Sequence, residues 1–435
     1  MVVRPSACLR RLARGRRSQQ VGFGRFLANP KVTINRLIEG WSDRTAAAVK
    51  GRHVLAIHDT SEFNFRTTPK RRRGLGEIGK GSGRGLLLHA MLALDAKTAG
   101  CLGLVGGRIW TRRGRIKIAH QKRRTENKES HRWIATAEQA KAVLAAAAQV
   151  TVIADRESDI FAQWANMPEP DFHLISRSMH DRRLITGEGL YAAAERFAFT
   201  AERLVALPER EHKRKPRPAW LSLRFGTVEL ARPHNTRDRN LPKSVALTLV
   251  DVIERDCPTG TEAVHWRLLT THEVTDAETA WQIVDWYKMR WTIEQFWRLL
   301  KLQGLRLEDS QIETAERLIK LTAIAAKAAV TTMQLVQART APSSEPATLA
   351  FSKSEIAVLD KLSADVEGAR APGQISRSGH ERSSEGRSAD PGPLAHGCRG
   401  VRCSGRTRPG HALVVESCDR PGVAASRSRA VGAYA

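Results

Sequence analysis

The chain has no run of 18 or more apolar residues, and its basic start, MVVRPSACLRRLARGRRSQQ, has no apolar stretch behind it. Neither a membrane span nor a secretory leader is expected from that pattern. Cysteine is sparse, six in 435 residues without regular spacing, with Cys398, Cys403 and Cys418 near the end. That argues against a disulfide framework and for a reducing, cytoplasmic setting. Negative charge is in deficit: 71 Lys and Arg face 45 Asp and Glu, for a net charge of +26 and a pI near 10.6. So basic a chain repels itself unless a polyanion neutralises it, and nucleic acid is the first candidate. Phe and Trp are absent from about residue 367 onward, where Arg, Ser, Gly, Ala and Pro dominate. Such a stretch buries little apolar surface, so 367–435 is expected to be disordered, and the Arg-rich, aperiodic residues 1–18 are expected to lack packed structure.

What remains is long enough for a sizeable core. Trp281 to Lys301, WQIVDWYKMRWTIEQFWRLLK, reads as one helix. Trp286, Met289, Ile293, Phe296, Trp297 and Leu300 make the apolar stripe that would seat it. Thr275 with Glu278 has capping-box spacing, and Gly304 falls where a C-cap would. Tyr287, Arg290, Glu294 and Lys301 fall within about 60° of one another around the axis. A polar stripe of this kind is usually a solvated face laced with ion pairs.

Two short apolar runs end in carboxylates: His53 to Asp59, HVLAIHD, and Val150 to Asp155, VTVIAD. Both have the look of buried strands, and an Asp in that position is commonly a turn former. Leu86 to Asp95 and Cys101 to Trp110 read as a further strand pair, and Trp133 to Ala148 as an Ala-rich helix for which Ser130 is a possible N-cap. Glu157 and Asp159, following Asp155, suit the N-terminal charge of a helix. Asp171 to Ser178 is the next strand. Between it and residue 270 come the β-like runs WLSLRFGTVELA, SVALTLVDVI and VHWRLLT, implying an inserted β-rich unit. In Arg71 to Gly85, a GxGxxG match and a P-loop-like beginning both fail on context, because a strand-like run follows where a helix should start. A basic loop able to touch phosphates is the better reading there. Ile312 to Thr340 is an apolar helix, and Ser354 to Leu362 begins another.

The spacing Y-x2-R-x3-E-x6-K at Tyr287, Arg290, Glu294 and Lys301 resembles the signature helix of the insertion-sequence-4 family of DDE transposases, the cut-and-paste, hairpin-forming type. Other stretches resemble the same family: GFGRFLANPKV, the strand-D-T/S context of Asp59, the K-E-S-x-R-W of Lys128 to Trp133, and DRESDI at Asp155. The likeness runs over about residues 20–366; the N-terminal DNA-binding region looks truncated and the C-terminal end looks like a coding region read out of frame.

The resemblance implies an α/β RNase H-like catalytic core with a mixed β-sheet, interrupted by a β-rich insertion subdomain. In these terms 1–50 is a remnant of the DNA-binding region, 51–180 and 271–345 are the two parts of the core, 181–270 is the insertion, and 346–435 is a partial C-terminal region with a disordered tail. It also implies that Asp59, Asp155 and Glu294 are catalytic and hold Mg²⁺ or Mn²⁺, as two ions, for end cleavage and strand transfer. Tyr287, Arg290, Lys301 and Arg177 would contact DNA, and Trp266 would stack on a base flipped from the element's end. The partners implied are double-stranded transposon ends and target DNA, with a homodimer in the DNA complex, no membrane, and a bacterial cytoplasmic, nucleoid-associated location. A decayed copy that only binds DNA, or an RNase H-like nuclease, are the alternatives.

Overall fold

The apolar run at residues 54–57 leaves no polar side to face water, so its strand must be covered on both faces. In the computed structural model, which describes residues 1–65, 73–79, 83–112, 114, 123–207, 215–234, 236, 238, 240–301, 304–340 and 346–368, this strand is central to a ten-stranded mixed sheet. The strands are β1 (His53–Asn64), β2 (Gly76–Ile78), β3 (Gly83–Asp95), β4 (Cys101–Trp110), β5 (Gln149–Ala154), β6 (Phe172–Arg177), β7 (Ala201–Leu207), β8 (Arg217–Ala231), β9 (Ser244–Glu254) and β10 (His265–Thr270). They lie in the order β2-β3-β1-β5-β6-β10-β9-β8-β7, with β4 also paired to β3. β1, β5 and β6 run parallel, and the other pairings are antiparallel. The protein is thus α/β with a large mixed sheet.

Alternation along the strands sends successive side chains into two separate cores. Leu55, Ile57 and Ile153 join the core that includes α8 (Ala277–Met289), α9 (Thr292–Leu300) and α10 (Ala315–Thr340). Val54, Ala56, Val150 and Val152 join the one that includes α5 (His131–Leu144), α6 (Phe161–Asn166) and α7 (Leu190–Arg196). By length and composition α10 could cross a membrane, but most of its apolar window is buried, with Leu318, Leu321, Ala325 and Ala329 in the first core. Among the described residues it is the one helix with that property.

Several sequence expectations are corrected. Within 181–270, the stretch read as a β-rich insertion, β7 to β10 lie in the sheet that contains β1. β7 itself, AERLVAL, had not been anticipated. Residues 1–18 are not without packed structure: short α1 (Leu9–Leu12) precedes α2 (Arg17–Ala28), Ala7 and Ala13 are fully buried, and the Ala7 amide donates to the Leu305 carbonyl at 2.7 Å. The small alanines fit where longer chains would not, and so an Arg-rich segment can still be anchored. Short helices α3 (Ile34–Glu39) and α4 (Thr45–Ala48) connect to β1.

Residues Met1–Ala357 form one unit, which includes the pieces read as 1–50, 51–180, 181–270 and 271–345. A second unit starts at Val358, and its described part is the end of α11 (Lys353–Gly368). The disorder expected for 367–435 falls outside the described residues beyond Gly368, as do parts of the basic stretches 71–85 and 211–220.

Candidate active site

Asp59 does not end its strand. β1 continues to Asn64 because β3 pairs with it along its length, with Asp59 opposite Ala90. On the other side, however, parallel pairing with β5 stops at Ile57 opposite Ile153. Extending that register by two residues sets Asp59 beside Asp155, which directly follows β5. Residues in register on parallel strands point to the same face and are separated by about 4.8 Å of backbone. Two carboxylates therefore meet where the parallel strands part, on the face covered by α8 and α9.

The signature stretch is not one helix. α8 ends at Met289 and α9 begins at Thr292, and across the junction the amides of Arg290, Trp291, Ile293 and Glu294 bond to carbonyls three residues back. A tighter 3₁₀ turn therefore interrupts the α ladder, as often occurs where a helix is bent for a purpose. The N-terminal capping box is made by Asp276 with Thr279, one residue beyond Thr275 and Glu278. Gly304 is not at the C-cap, which is Lys301; a Cβ on Gly304 would meet the Leu299 carbonyl oxygen at 2.2 Å. It is required there by close approach.

The kink lets both helices present polar groups to the strand ends. The Asp59 carboxyl is pushed up to about 7, first by burial and then by the Asp155 charge, with Glu294 adding to it and Arg290 opposing. The Thr60 amide donates to Asp59 Oδ1 at 2.7 Å, and Trp297 Nε1 donates to Oδ2 at 3.4 Å. Burial works against the charge on Arg290, but Tyr287, Asp59, Asp155 and Glu294 together hold its pKa above the usual arginine value. Its buried Nε has no hydrogen-bond partner among the described residues. Tyr287 is raised by burial, against the nearby cations Arg290 and Arg177. Lys301 is lowered by burial, against Glu308, Glu294, Glu62 and Asp59, and its Nζ lies 5.2 Å from the Phe63 ring centre. Arg177 donates to the His265 carbonyl at 2.9 Å rather than to a carboxylate. The half-buried Trp266 ring stands edge-on to Tyr287 with centroids 6.1 Å apart. All eight residues singled out from the sequence thus form one connected neighbourhood.

Other groups had been missed or misread. Asp159 is no helix-end charge: it is buried and accepts from Arg182 Nε at 2.7 Å, the Met179 amide at 2.9 Å and Trp164 Nε1 at 3.2 Å. Ser130 precedes α5 without making a side-chain cap. Behind Asp59, on the opposite face of the sheet, Arg132 donates to Thr60 Oγ1 at 2.8 Å and to Glu157 at 2.5 Å, and Thr60 Oγ1 also bonds His89 Nδ1 at 2.8 Å. This chain fixes the residue whose amide holds Asp59. Trp297, read as purely apolar, is the other partner of that carboxylate; an indole facing a strand-end acid was the available signal.

No protein-family model matches the chain. Among solved structures it is similar to a piggyBac transposase synaptic complex with hairpin DNA, with a TM-score of 0.37 and 10% identity. The overlap takes in 75% of this chain and 57% of the other, so the chain spans little more than half the length of that protein. So slight a likeness bears on neither fold nor chemistry.

Three carboxylates with hard oxygens suit Mg²⁺ or Mn²⁺ by donor chemistry, and burial followed by the charge of Asp155 raises the Asp59 carboxyl. Arg290 is the cation that faces all three. Among the described residues, no group of three or more His, Cys, Asp or Glu side chains is gathered closely enough to hold an ion as it stands.

Proposed function

We propose that this chain is a DNA transposase of the insertion-sequence-4 type, catalysing phosphoryl transfer in end cleavage and strand transfer on an RNase H-like core. The observation that carries the reading is the approach of Asp59, within β1, to Asp155, just after β5, two residues beyond the last parallel pair of these strands, with Glu294 at the start of α9 acting on the same carboxyl. Asp59, Asp155 and Glu294 are the residues that would hold two Mg²⁺ or Mn²⁺ ions. Ions bound there supply Lewis-acid stabilisation of the attacking and leaving oxygens of an in-line displacement.

The chain's own part is to place the phosphate. Arg290, charged among three acids and with a buried Nε–H that has no partner among the described residues, would be the donor to a scissile phosphate. Tyr287 and Lys301 flank it, and Arg177 and Trp266 border the Tyr287 side. The net charge of +26 supplies the field that brings a duplex in, and action at two element ends by a homodimer follows from this reading.

The test uses the full chain and duplexes made from the DNA flanking its gene. Strand cleavage and joining through a free 3′-OH should appear only with Mg²⁺ or Mn²⁺. Glu294→Gln should still bind DNA while cleavage falls at least about a hundredfold, as loss of a group that organises a metal requires. Cleavage without joining would make the protein an RNase H-like nuclease, and binding without cleavage in the unaltered protein would leave a DNA-binding remnant.

A further inference from the structure

Asp59 and Asp155 are held in the same way. The Thr60 amide donates to Asp59 Oδ1 at 2.7 Å, and the Glu157 amide donates to Asp155 Oδ1 at 2.8 Å. The side chains of those two donors then converge on one residue: Arg132 Nε donates to Thr60 Oγ1 at 2.8 Å, and Arg132 Nη2 donates to Glu157 Oε2 at 2.5 Å. We infer that Arg132 is a positioning residue that fixes the spacing of Asp59 and Asp155 from the opposite face of the sheet, an inference that rests on the reading of these acids as metal ligands.

Every link of this bridge is constrained. Arg132 lies in the first turn of α5, and its remaining nitrogen, Nη1, donates to the Glu129 carbonyl at 3.0 Å. A guanidinium holds its donors in a rigid planar fork, so the two atoms that accept from it cannot part without breaking a bond. Thr60 stands opposite His89 in the β1–β3 ladder, and its hydroxyl, accepting from Arg132, keeps its own proton for His89 Nδ1 at 2.8 Å. That hydroxyl has no freedom left to turn. Glu157 belongs to the short 3₁₀ turn 156–158 that Asp155 itself caps.

The bridge also stands where the backbone tie runs out. Parallel pairing of β1 with β5 ends at Ile57 and Ile153, so beyond that pair the spacing of the two acid-bearing segments depends on side chains, and the Arg132 fork spans them. Two like charges placed side by side repel, which makes such a tie necessary. A contact to DNA phosphate is a poorer account of this residue. Its side chain is only 8% exposed, it is paired with Glu157, and each nitrogen of its guanidinium is engaged within the protein.

The experiment titrates Mn²⁺ alone into the full chain by calorimetry, and measures duplex binding across a salt series beside it. Removing a partner that orients a metal's ligands weakens the ion about 10–100-fold, and Arg132→Gln is expected to show a loss of that size. Arg132→Lys should lose nearly as much, because an ammonium keeps the charge but not the fork. The slope of log K for duplex against log salt should stay at its wild-type value in both, whereas a lost phosphate contact lowers it by about 1 and is restored by Lys. Thr60→Val removes one arm without changing charge or shape; about a tenfold loss of Mn²⁺ affinity is expected, and it keeps the result readable if the Arg132 variants melt early. Combined with Arg132→Gln it should add little, since both break one link. Wild-type Mn²⁺ affinity in Arg132→Gln and Thr60→Val, whatever their melting temperatures, would make the bridge merely structural and overturn the inference, as would fully additive losses in the double variant; Asp59 and Asp155 would remain ligands. A lowered salt slope that Lys restores would also overturn it, in favour of a phosphate contact. A wild-type chain that binds no Mn²⁺ would overturn this inference and the carboxylate reading together.

Discussion

Acid should destabilise this protein through histidines that the fold keeps neutral, and His272 shows how much. Its ring is 9% exposed, stacks on His173 at 4.0 Å and bonds Thr151 Oγ1 at 2.8 Å. Burial, then the nearby His173 and His53, lower its pKa from 6.5 to about 3. The unfolded chain takes up a proton at this position below pH 6.5, whereas the folded one does not until about pH 3. The stabilisation is therefore complete above 6.5 and is lost as pH falls through the window from 6.5 towards 3. One pKa unit is worth about 1.4 kcal/mol, so at about pH 5 the loss from this ring alone is on the order of 2 kcal/mol. The perturbation is His272→Phe, which removes the titration and keeps a ring against Trp286. Urea unfolding at about pH 7.5 should show the variant roughly 1 kcal/mol less stable, for the lost contact with Thr151. The difference should shrink or change sign at about pH 5, because the wild type loses about 2 kcal/mol more than the variant over that interval. The reasoning is refuted if both proteins lose the same stability between the two pH values.

Asp59, raised to about 7 in the metal-free protein, should make Mg²⁺ or Mn²⁺ affinity climb between about pH 6 and 8, since the carboxyl must lose its proton to serve as a ligand; an affinity that stays flat across that range in calorimetric titrations would count against it. The sign for the metal-free fold is opposite to that of His272: the folded carboxyl keeps its proton up to about 7, so stability declines as pH rises from 3.8 through 7. Trp266→Ala should spare first-strand nicking and impair the hairpin step on pre-nicked ends, whereas a purely structural role would cost about 3–5 kcal/mol and depress both reactions together in a gel assay. Gly304→Ala should lower the melting temperature by the equivalent of about 1–3 kcal/mol, as its Cβ has only 2.2 Å to the Leu299 carbonyl; an unchanged transition would show that this loop yields freely.

Much of the sheet was legible because buried strands announce themselves as short apolar runs. β4 matched its expected limits, Cys101 and Trp110, and β5 and β6 were anticipated within a residue or two. β7 escaped because Glu202 and Arg203 dilute an alternation in which only one strand face is half-covered. The strand was expected to end at Asp59 because local propensity carries no information about β3, whose pairing holds the chain extended to Asn64. The residues of the candidate site were legible as types and spacings, and their meeting was expected through the family resemblance. It depends on the register of β1 against β5 and on the turn at Arg290 and Trp291, which no Pro or Gly marks. The anchoring of residues 1–18 was hidden because a composition average cannot see two alanines placed opposite a receptive surface.

The continuity of the sheet from β1 to β7 has a mechanical consequence. A subdomain joined by two linkers could swing over a bound substrate at little cost, but strands sharing one hydrogen-bonded lattice transmit displacement instead of absorbing it. β10, which bears Trp266, is bonded to β9 along its length and to β6 from Leu268 on, so moving this strand by several ångströms would shear two ladders at once. Under the proposed function the protein would act here as an anvil and a DNA substrate would supply the compliance, its helix end bent and unstacked against a surface that does not retreat. Such an arrangement favours nucleic acid that is already easy to deform, and sequence preference near the cut would then reflect how readily the bases part as much as which bases they are.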